Sequence, residues 1–160
     1  MLSNNTIIQA VREGNAHILD QLASLPKEEA HTLVNKPESN NDTALHAAVD
    51  KGDLSAVELL LQYGANPNAS GLFNETPLHH AAAGNFSAIA KSLLAAGASC
   101  DVSRTDSMKP IHVAASNDAA DVINILVNHD PNQLKKFRLI LRVVHLQLAV
   151  AVHKFLSRLH

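Results

Sequence analysis

The sequence has 160 residues, of which 46% are hydrophobic, 18% are charged and 3% are aromatic. This composition fits one ordinary globular domain with a sizeable core and excludes a wholly disordered chain. The single cysteine, Cys100, excludes an intramolecular disulfide framework and a zinc site built from several cysteines, and it is compatible with a reducing compartment. Because aromatic residues are scarce, alanine and the aliphatic residues must form the core, which favours an all-α fold.

Charge divides the sequence into two parts. Residues 1–130 carry a net charge of −8, whereas residues 131–160 contain six lysines and arginines and no acid. This asymmetry predicts an acidic body followed by a basic segment of different character. The first residues lack a basic region followed by a long apolar run, so we expect no secretory signal and a cytoplasmic location.

The first predicted helix pair lies in "IIQAVREGNAHILDQLASL", which begins at Ile7 and has Gly14 between its two halves. Apolar residues recur there at helical spacing. The next stretch, "PKEEAHTLVNKPE", begins at Pro26 and adds about five residues relative to the later segments of the chain. The sequence leaves two alternatives open for it, an enlarged loop or an added helical turn.

Three near-copies of one segment come next along the chain. "TALHAAV" begins at Thr43, "TPLHHAA" at Thr76 and "KPIHVAA" at Lys109, so the copies start at equal intervals. The register continues downstream, where "LSAVELLLQYGANPN" aligns with "FSAIAKSLLAAGASCD". A fixed period of about 33 residues indicates stacked supersecondary units that share one continuous core.

Each copy contains the signals of two short helices. Thr76 suits a helix N-cap and Pro77 the first helical position, where its missing N–H has no cost. Gly64 and Gly97 are expected to end the second helices, and the polar stretches after them, "NPNASGLFNE" and "SCDVSRTDSM", are typical of hairpin turns. The first helices are expected to end in residues that tolerate a left-handed backbone: Gly14, Gly52, Asn85 and Asp118.

This pattern resembles the ankyrin repeat family, whose period and TPLHxA motif it matches. The resemblance implies an all-α ankyrin-repeat solenoid of stacked antiparallel helix pairs with short hairpin turns, ending in a C-terminal helix. Residues 1–130 would form the ankyrin-repeat domain and residues 131–160 a basic amphipathic helix. The repeats are placed at about residues 5–42, 43–75, 76–108 and 109–130.

Histidines occur at one equivalent position in three copies, as His46, His79 and His112. They stand three residues after the N-cap, where a capping-box residue reaches back to the start of its helix. The resemblance implies a structural role, with each ring hydrogen-bonded to its own turn and to the adjoining backbone. His80 is an addition to the motif, and it points about 100° away from His79 on a helix, so the two are not expected to chelate one ion.

No catalytic or cofactor-binding motif accompanies the repeats. The sequence contains no H-E-x-x-H, no C-x-x-C, no calcium-loop spacing, no G-x-S-x-G elbow and no phosphate-binding glycine run. We therefore expect no enzyme activity, no catalytic residue, no metal site and no cofactor.

The resemblance implies a non-catalytic protein–protein interaction module, which we expect to be a monomer. Members of the family usually hold a protein partner with the hairpin tips and the exposed residues of the first helices. Phe73 is the sharpest candidate, since a large ring in a polar turn either packs locally or meets a partner. The tip candidates are Leu72, Phe73, Glu75, Arg104, Asp106 and Met108, and the first-helix candidates are Asp50, Lys51, His80, Ala83, Val113 and Ser116.

The basic segment, residues 131–160, carries apolar residues at spacings of three and four from Phe137 to Leu159, which predicts a long helix. A strand over "LAVAV" is a weaker alternative. The helix could cap the last repeat, lie on an anionic membrane surface or partner groove, or be an altered end of the array. Peripheral membrane association is thus the alternative function. Only 11 uncharged residues separate Arg142 from Lys154, too few to span a bilayer, and the scarcity of stacking aromatics argues against a nucleic acid partner.

Overall fold

The computed structural model describes residues 3–15 and 20–132, and within them every regular element is helical. Two short 3₁₀ turns, Gln21–Ser24 and Leu72–Asn74, join the α-helices. The α-helices in these ranges are α1 (Asn4–Glu13), α2 (Lys27–Asn35), α3 (Ala44–Asp50), α4 (Leu54–Gln62), α5 (Pro77–Ala83), α6 (Ser87–Ala95), α7 (Pro110–Ser116) and α8 (Ala120–His129).

The helices form two layers. Helices α1, α3, α5 and α7 contact one another in that order and make one layer, while α4, α6 and α8 make the second. Within each copy the two layers meet, because α3 packs on α4, α5 on α6 and α7 on α8. The predicted all-α solenoid of stacked helix pairs is confirmed.

The core follows the period of the sequence. Leu45, Leu78 and Ile111 occupy one register position in the first layer and are fully buried. Leucines at positions 60, 93 and 126 form the corresponding buried column in the second layer. Burying each of these side chains stabilises the fold by roughly 1.5–3 kcal/mol. Alanines beside them on the short first helices let neighbouring helices approach closely.

The first copy differs from the others by an inserted helix. The stretch that the sequence left as a loop or a helical turn is the nine-residue helix α2, whose Ala30 and Val34 are buried. At its end, the Asn35 side chain donates to one carbonyl of the next copy at 2.8 Å and accepts from one of its amides at 2.7 Å. Asn68, one period further along the chain, makes the same pair of bonds at 2.9 and 2.7 Å. The insertion therefore ends with the regular register restored.

The predicted turn residues adopt the backbone conformations that their types suggested. The residues that follow the first helices, Gly14, Gly52, Asn85 and Asp118, have φ between 52° and 72°. The second helices α4 and α6 end just before Gly64 and Gly97, whose φ angles are 80° and 91°. Thr76 is the N-cap of α5 and Pro77 its first residue. These predictions are confirmed.

The predictions for the basic segment fall on residues 133–160, which lie outside the described residues, so its three alternatives stay predictions. Among residues 3–15 and 20–132, no helix combines the length and the apolar character needed to cross a bilayer.

Candidate partner-binding surface

Two buried histidines position the hairpins from which the surface is built. The Nδ1 atom of His46 accepts a hydrogen bond from the Thr43 amide at 3.1 Å, and its Nε2 atom lies 3.2 Å from the Glu75 carbonyl oxygen. His79 repeats this arrangement with Thr76 at 3.1 Å and Met108 at 3.1 Å. The hydrogen bonds that the resemblance implied are therefore present at both residues, and each ties the start of a first helix to the hairpin that leads to the next one.

The geometry requires neutral rings. Because Nδ1 of His46 and of His79 accepts from a backbone amide, the ring proton is on Nε2, which donates to the carbonyl. Burial lowers the pKa of both rings, and for His79 the pKa falls to about 4. These rings stay uncharged at neutral pH and act as fixed connectors.

His112 makes only the first of these two connections among the described residues. Its Nδ1 accepts from the Lys109 amide at 3.1 Å, whereas its Nε2 is buried without a hydrogen-bond partner in the described part of the chain. The equivalent acceptors, Glu75 and Met108, belong to hairpins that precede a further copy. The last described copy therefore presents an unsatisfied donor position at its outer edge.

A chain of charged side chains crosses the first layer. His80 Nδ1 lies 2.5 Å from Asp50 Oδ1, and His80 Nε2 lies 3.4 Å from Glu75 Oε2. Glu75 in turn pairs with Arg104 at 2.6 Å, and Arg104 pairs with Asp106 at 3.0 Å. Two adjacent copies are thus connected by side chains that were predicted from the sequence as separate contact residues.

The environment of His80 favours its charged form. Burial lowers the pKa of His80, but the hydrogen bond to Asp50 and the carboxylates of Asp50, Glu75 and Asp42 together raise it above the ordinary value. Its direction of shift is therefore opposite to that of the motif histidines beside it.

The hairpin tip before α5 presents two apolar side chains to solvent. Phe73 is 59% exposed and Leu72 is 47% exposed. Phe73 and Asn74 both have a left-handed backbone, with φ of 55° and 62°, a conformation that residues other than glycine rarely adopt. The ring of Phe73 lies on the surface of the tip and is not part of the core.

Neighbouring hairpins hold this tip in place. The Thr105 amide donates to the Phe73 carbonyl at 2.9 Å, and the Asn74 side chain donates to the Ser103 carbonyl at 2.6 Å. On the other side, the Leu72 amide donates to Asp42 Oδ1 at 3.2 Å. Gly71 permits this approach, because a Cβ at that position would clash with the same Asp42 oxygen.

Two concave regions border the helices. One, of about 240 Å³, lies in the first layer near the first copy, and the other, of about 390 Å³, lies between α6 and α8. Lys51 in the first region donates to the carbonyls of Val11 and Arg12 at 3.3 and 3.1 Å. The first region is lined by Arg12, Asp42, Ala47, Asp50 and Lys51, and the second by Lys91, Leu94, Ala95, Ile125, Asn128 and His129.

The proposed contact residues differ in exposure. Val113 is wrong as a surface residue, because it is 4% exposed and packs in the core. Its equivalents, Ala47 and His80, are also largely covered, so this register position is closed in the three copies that carry the histidine motif. Half-buried candidates are Glu75, His80, Arg104 and Met108, and exposed ones are Asp50, Lys51, Leu72, Phe73, Ala83, Asp106 and Ser116.

Asp42 is a further residue of this surface that was not predicted from the sequence. This residue supports the Leu72 amide and lines the first concave region. The repeat register could have identified it, because Asp42 stands one period before the predicted contact residue Glu75, directly ahead of the N-cap Thr43.

Among the residues that the structure describes, no group of three or more histidine, cysteine, aspartate or glutamate side chains is arranged to hold a metal ion. Comparison with protein-family models matches residues 45–94 to the family described as ankyrin repeats (many copies). Comparison with curated proteins found no match.

Proposed function

Because the chain carries ankyrin repeats, which are generally protein–protein interaction modules, we propose that it binds a protein partner and catalyses no reaction itself. The module would be residues 1–130, with repeats at about 5–42, 43–75, 76–108 and 109–130. The partner would contact the hairpin tips and the neighbouring charged side chains of the first layer.

The exposed ring of Phe73 is the observation that supports this proposal most directly. An aromatic side chain that is 59% exposed adds no core stability, and its left-handed backbone adds a conformational cost of roughly 1–2 kcal/mol. Hydrogen bonds to Asp42, Ser103 and Thr105 nevertheless hold the backbone of this tip in place. An exposed aromatic side chain on a fixed backbone is the kind of residue that dominates protein interfaces.

The charged side chains beside the tip supply the polar part of such an interface. Glu75, Arg104 and Asp106 lie at the hairpins and are linked by short ion pairs, so their positions are fixed before a partner arrives. Fixed side chains lose little conformational entropy on binding, which favours affinity. An apolar anchor with an ordered polar rim is typical of protein recognition.

The test is quantitative affinity capture from the native cell extract, followed by measurement of Kd with the purified partner. Phe73→Ala is expected to weaken binding by roughly 5- to 150-fold, which corresponds to about 1–3 kcal/mol, and to leave the melting temperature unchanged. Gln62→Ala, at the exposed end of α4, is the matched control and is expected to leave Kd unchanged. Unaltered binding by Phe73→Ala would remove the tip from the interface.

A further inference from the structure

His80 makes contacts that the repeat itself does not require. The equivalent residues of the other two copies that carry the histidine motif are Ala47 and Val113, so a small or apolar side chain satisfies the fold at this position. His80 instead reaches Asp50 on the preceding first helix and Glu75 ahead of its own helix. The His80 side chain is 14% exposed and that of Glu75 is 24% exposed, whereas Asp50 is 57% exposed, so the contact with Glu75 is the better shielded from water.

The number of protons on the ring decides whether both contacts are favourable. A neutral imidazole has one N–H. If that hydrogen is on Nδ1, it donates to Asp50 at 2.5 Å, and the lone pair of Nε2 then faces the Glu75 carboxylate at 3.4 Å. Nε2 is buried and lacks a hydrogen-bond partner in the described part of the chain. A second proton supplies the missing donor and converts this repulsive contact into an ion pair.

The other groups around the ring modify this effect without reversing it. The His46 ring centroid lies 5.3 Å away at an interplanar angle of 73°, and its charged form would oppose that of His80. His46 is held neutral by its hydrogen bonds, so the opposition is small at neutral pH. Asp42 favours the charged ring, whereas Arg104 weakens the attraction of Glu75 by pairing with its other oxygen at 2.6 Å.

The remaining elements packed against α5 place their charges elsewhere. His79, next to His80 on the same helix, is held neutral by its bonds to Thr76 and Met108. Lys109, ahead of α7, pairs with Asp101 at 2.8 Å. The other titratable groups on α6, α7 and α8 are Lys91 and His129, which line the region between α6 and α8, together with His112 and the exposed Asp121.

We propose that His80 is a proton-dependent clasp between the second and third repeats, closed when its ring carries two protons and joins Asp50 to Glu75. When the ring loses a proton, the Asp50 hydrogen bond remains and the Glu75 contact becomes unfavourable. The clasp thus strengthens the junction of adjacent repeats on acidification. The inference goes beyond the proposed function, and it can be tested without any partner.

The direction of the pH dependence follows from linkage. The carboxylates hold the pKa of His80 in the folded protein above its ordinary value of 6.5. The stabilisation is therefore fully present below pH 6.5 and is lost as the pH rises through the pKa of the folded state. The motif histidines act in the opposite direction, so the contribution of His80 must be isolated by comparing variants.

Urea denaturation of the full chain and of His80→Ala between pH 5.5 and 8.5 tests the clasp. Alanine is accepted by the fold at the equivalent position 47, so this variant is expected to fold. We expect the variant to unfold at a lower urea concentration than the native chain at pH 5.5, and this difference to shrink as the pH approaches 8.5. His31→Ala, at an exposed position on α2, controls for the loss of a histidine. A difference between native chain and His80→Ala that is constant or grows with pH overturns the proposal.

Proton NMR of the histidine rings gives a readout independent of stability. The His80 resonance, identified by its absence from His80→Ala, is expected to titrate above 6.5 in the native chain. In Glu75→Gln its midpoint is expected to fall, because one of the carboxylates that favour the charged ring is gone. A native midpoint below 6.5, or one that Glu75→Gln leaves unchanged, contradicts the clasp. The proposed partner binding can fail while this result stands, and the reverse also holds.

Discussion

Replacement of His79 by alanine measures how much of the stability comes from connections between successive hairpins. The substitution leaves the amide of Thr76 without its hydrogen-bond acceptor, and it removes one of two donors from the carbonyl of Met108; both bonds measure 3.1 Å. The Met108 carbonyl keeps its bond from the Arg104 amide at 2.9 Å. A buried backbone group left unsatisfied costs about 1–3 kcal/mol. With the lost packing of a ring that is 1% exposed, the expected loss is about 4 kcal/mol, a large share of the roughly 5–15 kcal/mol typical of a domain.

His112→Ala is the matched comparison, because the same residue type occupies the same register position. Among the described residues its ring has one hydrogen-bond partner, the Lys109 amide at 3.1 Å, so the expected loss is only about 1–2 kcal/mol. Both variants are to be unfolded in urea at pH 8, where the motif histidines are neutral, and followed by far-ultraviolet circular dichroism. Equal losses for the two variants would show that the second connection contributes nothing to stability.

Four further outcomes are expected. Phe86→Ala should destabilise by about 2–4 kcal/mol in the same assay, because its ring packs against the core beside Gly52 and Gly84; a loss as small as that of an exposed residue would contradict this packing. Asn68→Ala should cost about 1–3 kcal/mol despite its exposed position, since it removes two hydrogen bonds, one to the Gly97 carbonyl and one from the Ser99 amide. The urea midpoint measures this loss. The motif histidines bind protons near pH 6.5 in the unfolded chain, whereas the pKa of His79 in the folded protein is about 4. Stability should therefore fall as the pH falls from 6.5 to about 4, and less steeply in His79→Gln. Deletion of the basic segment, residues 131–160, should lower the melting temperature and cause aggregation if the segment caps the array, with anionic-vesicle cosedimentation as the readout for the membrane alternative.

The period of the sequence was sufficient to predict the repeated parts of the fold. The repeat register predicted the N-cap of α5 and the left-handed turn residues, because each depends on local backbone preferences that recur along the chain. Helix α2 could not be assigned in this way, since it occurs once and has no counterpart for comparison.

The contacts of the candidate surface were less predictable. Asp50 and His80 are 30 residues apart, which is one helical turn short of the period, so the repeat places them on neighbouring helices without fixing the direction of either side chain. Val113 shows the same limit, because register identified a first-helix position but gave no measure of how far adjacent copies cover it. Exposure depends on packing between repeats, and the sequence pattern does not contain that information.

The histidine connections have a polarity. His46 and His79 each begin at the cap of their own helix and reach an acceptor 29 residues downstream, and neither reaches upstream. The start of each of these two helices is therefore fixed by the hairpin that follows it. If unfolding begins at the C-terminal side of the described repeats, the His79 bond to Met108 is lost before the His46 bond to Glu75. Amide hydrogen exchange should then spread from the later repeats towards the N-terminus.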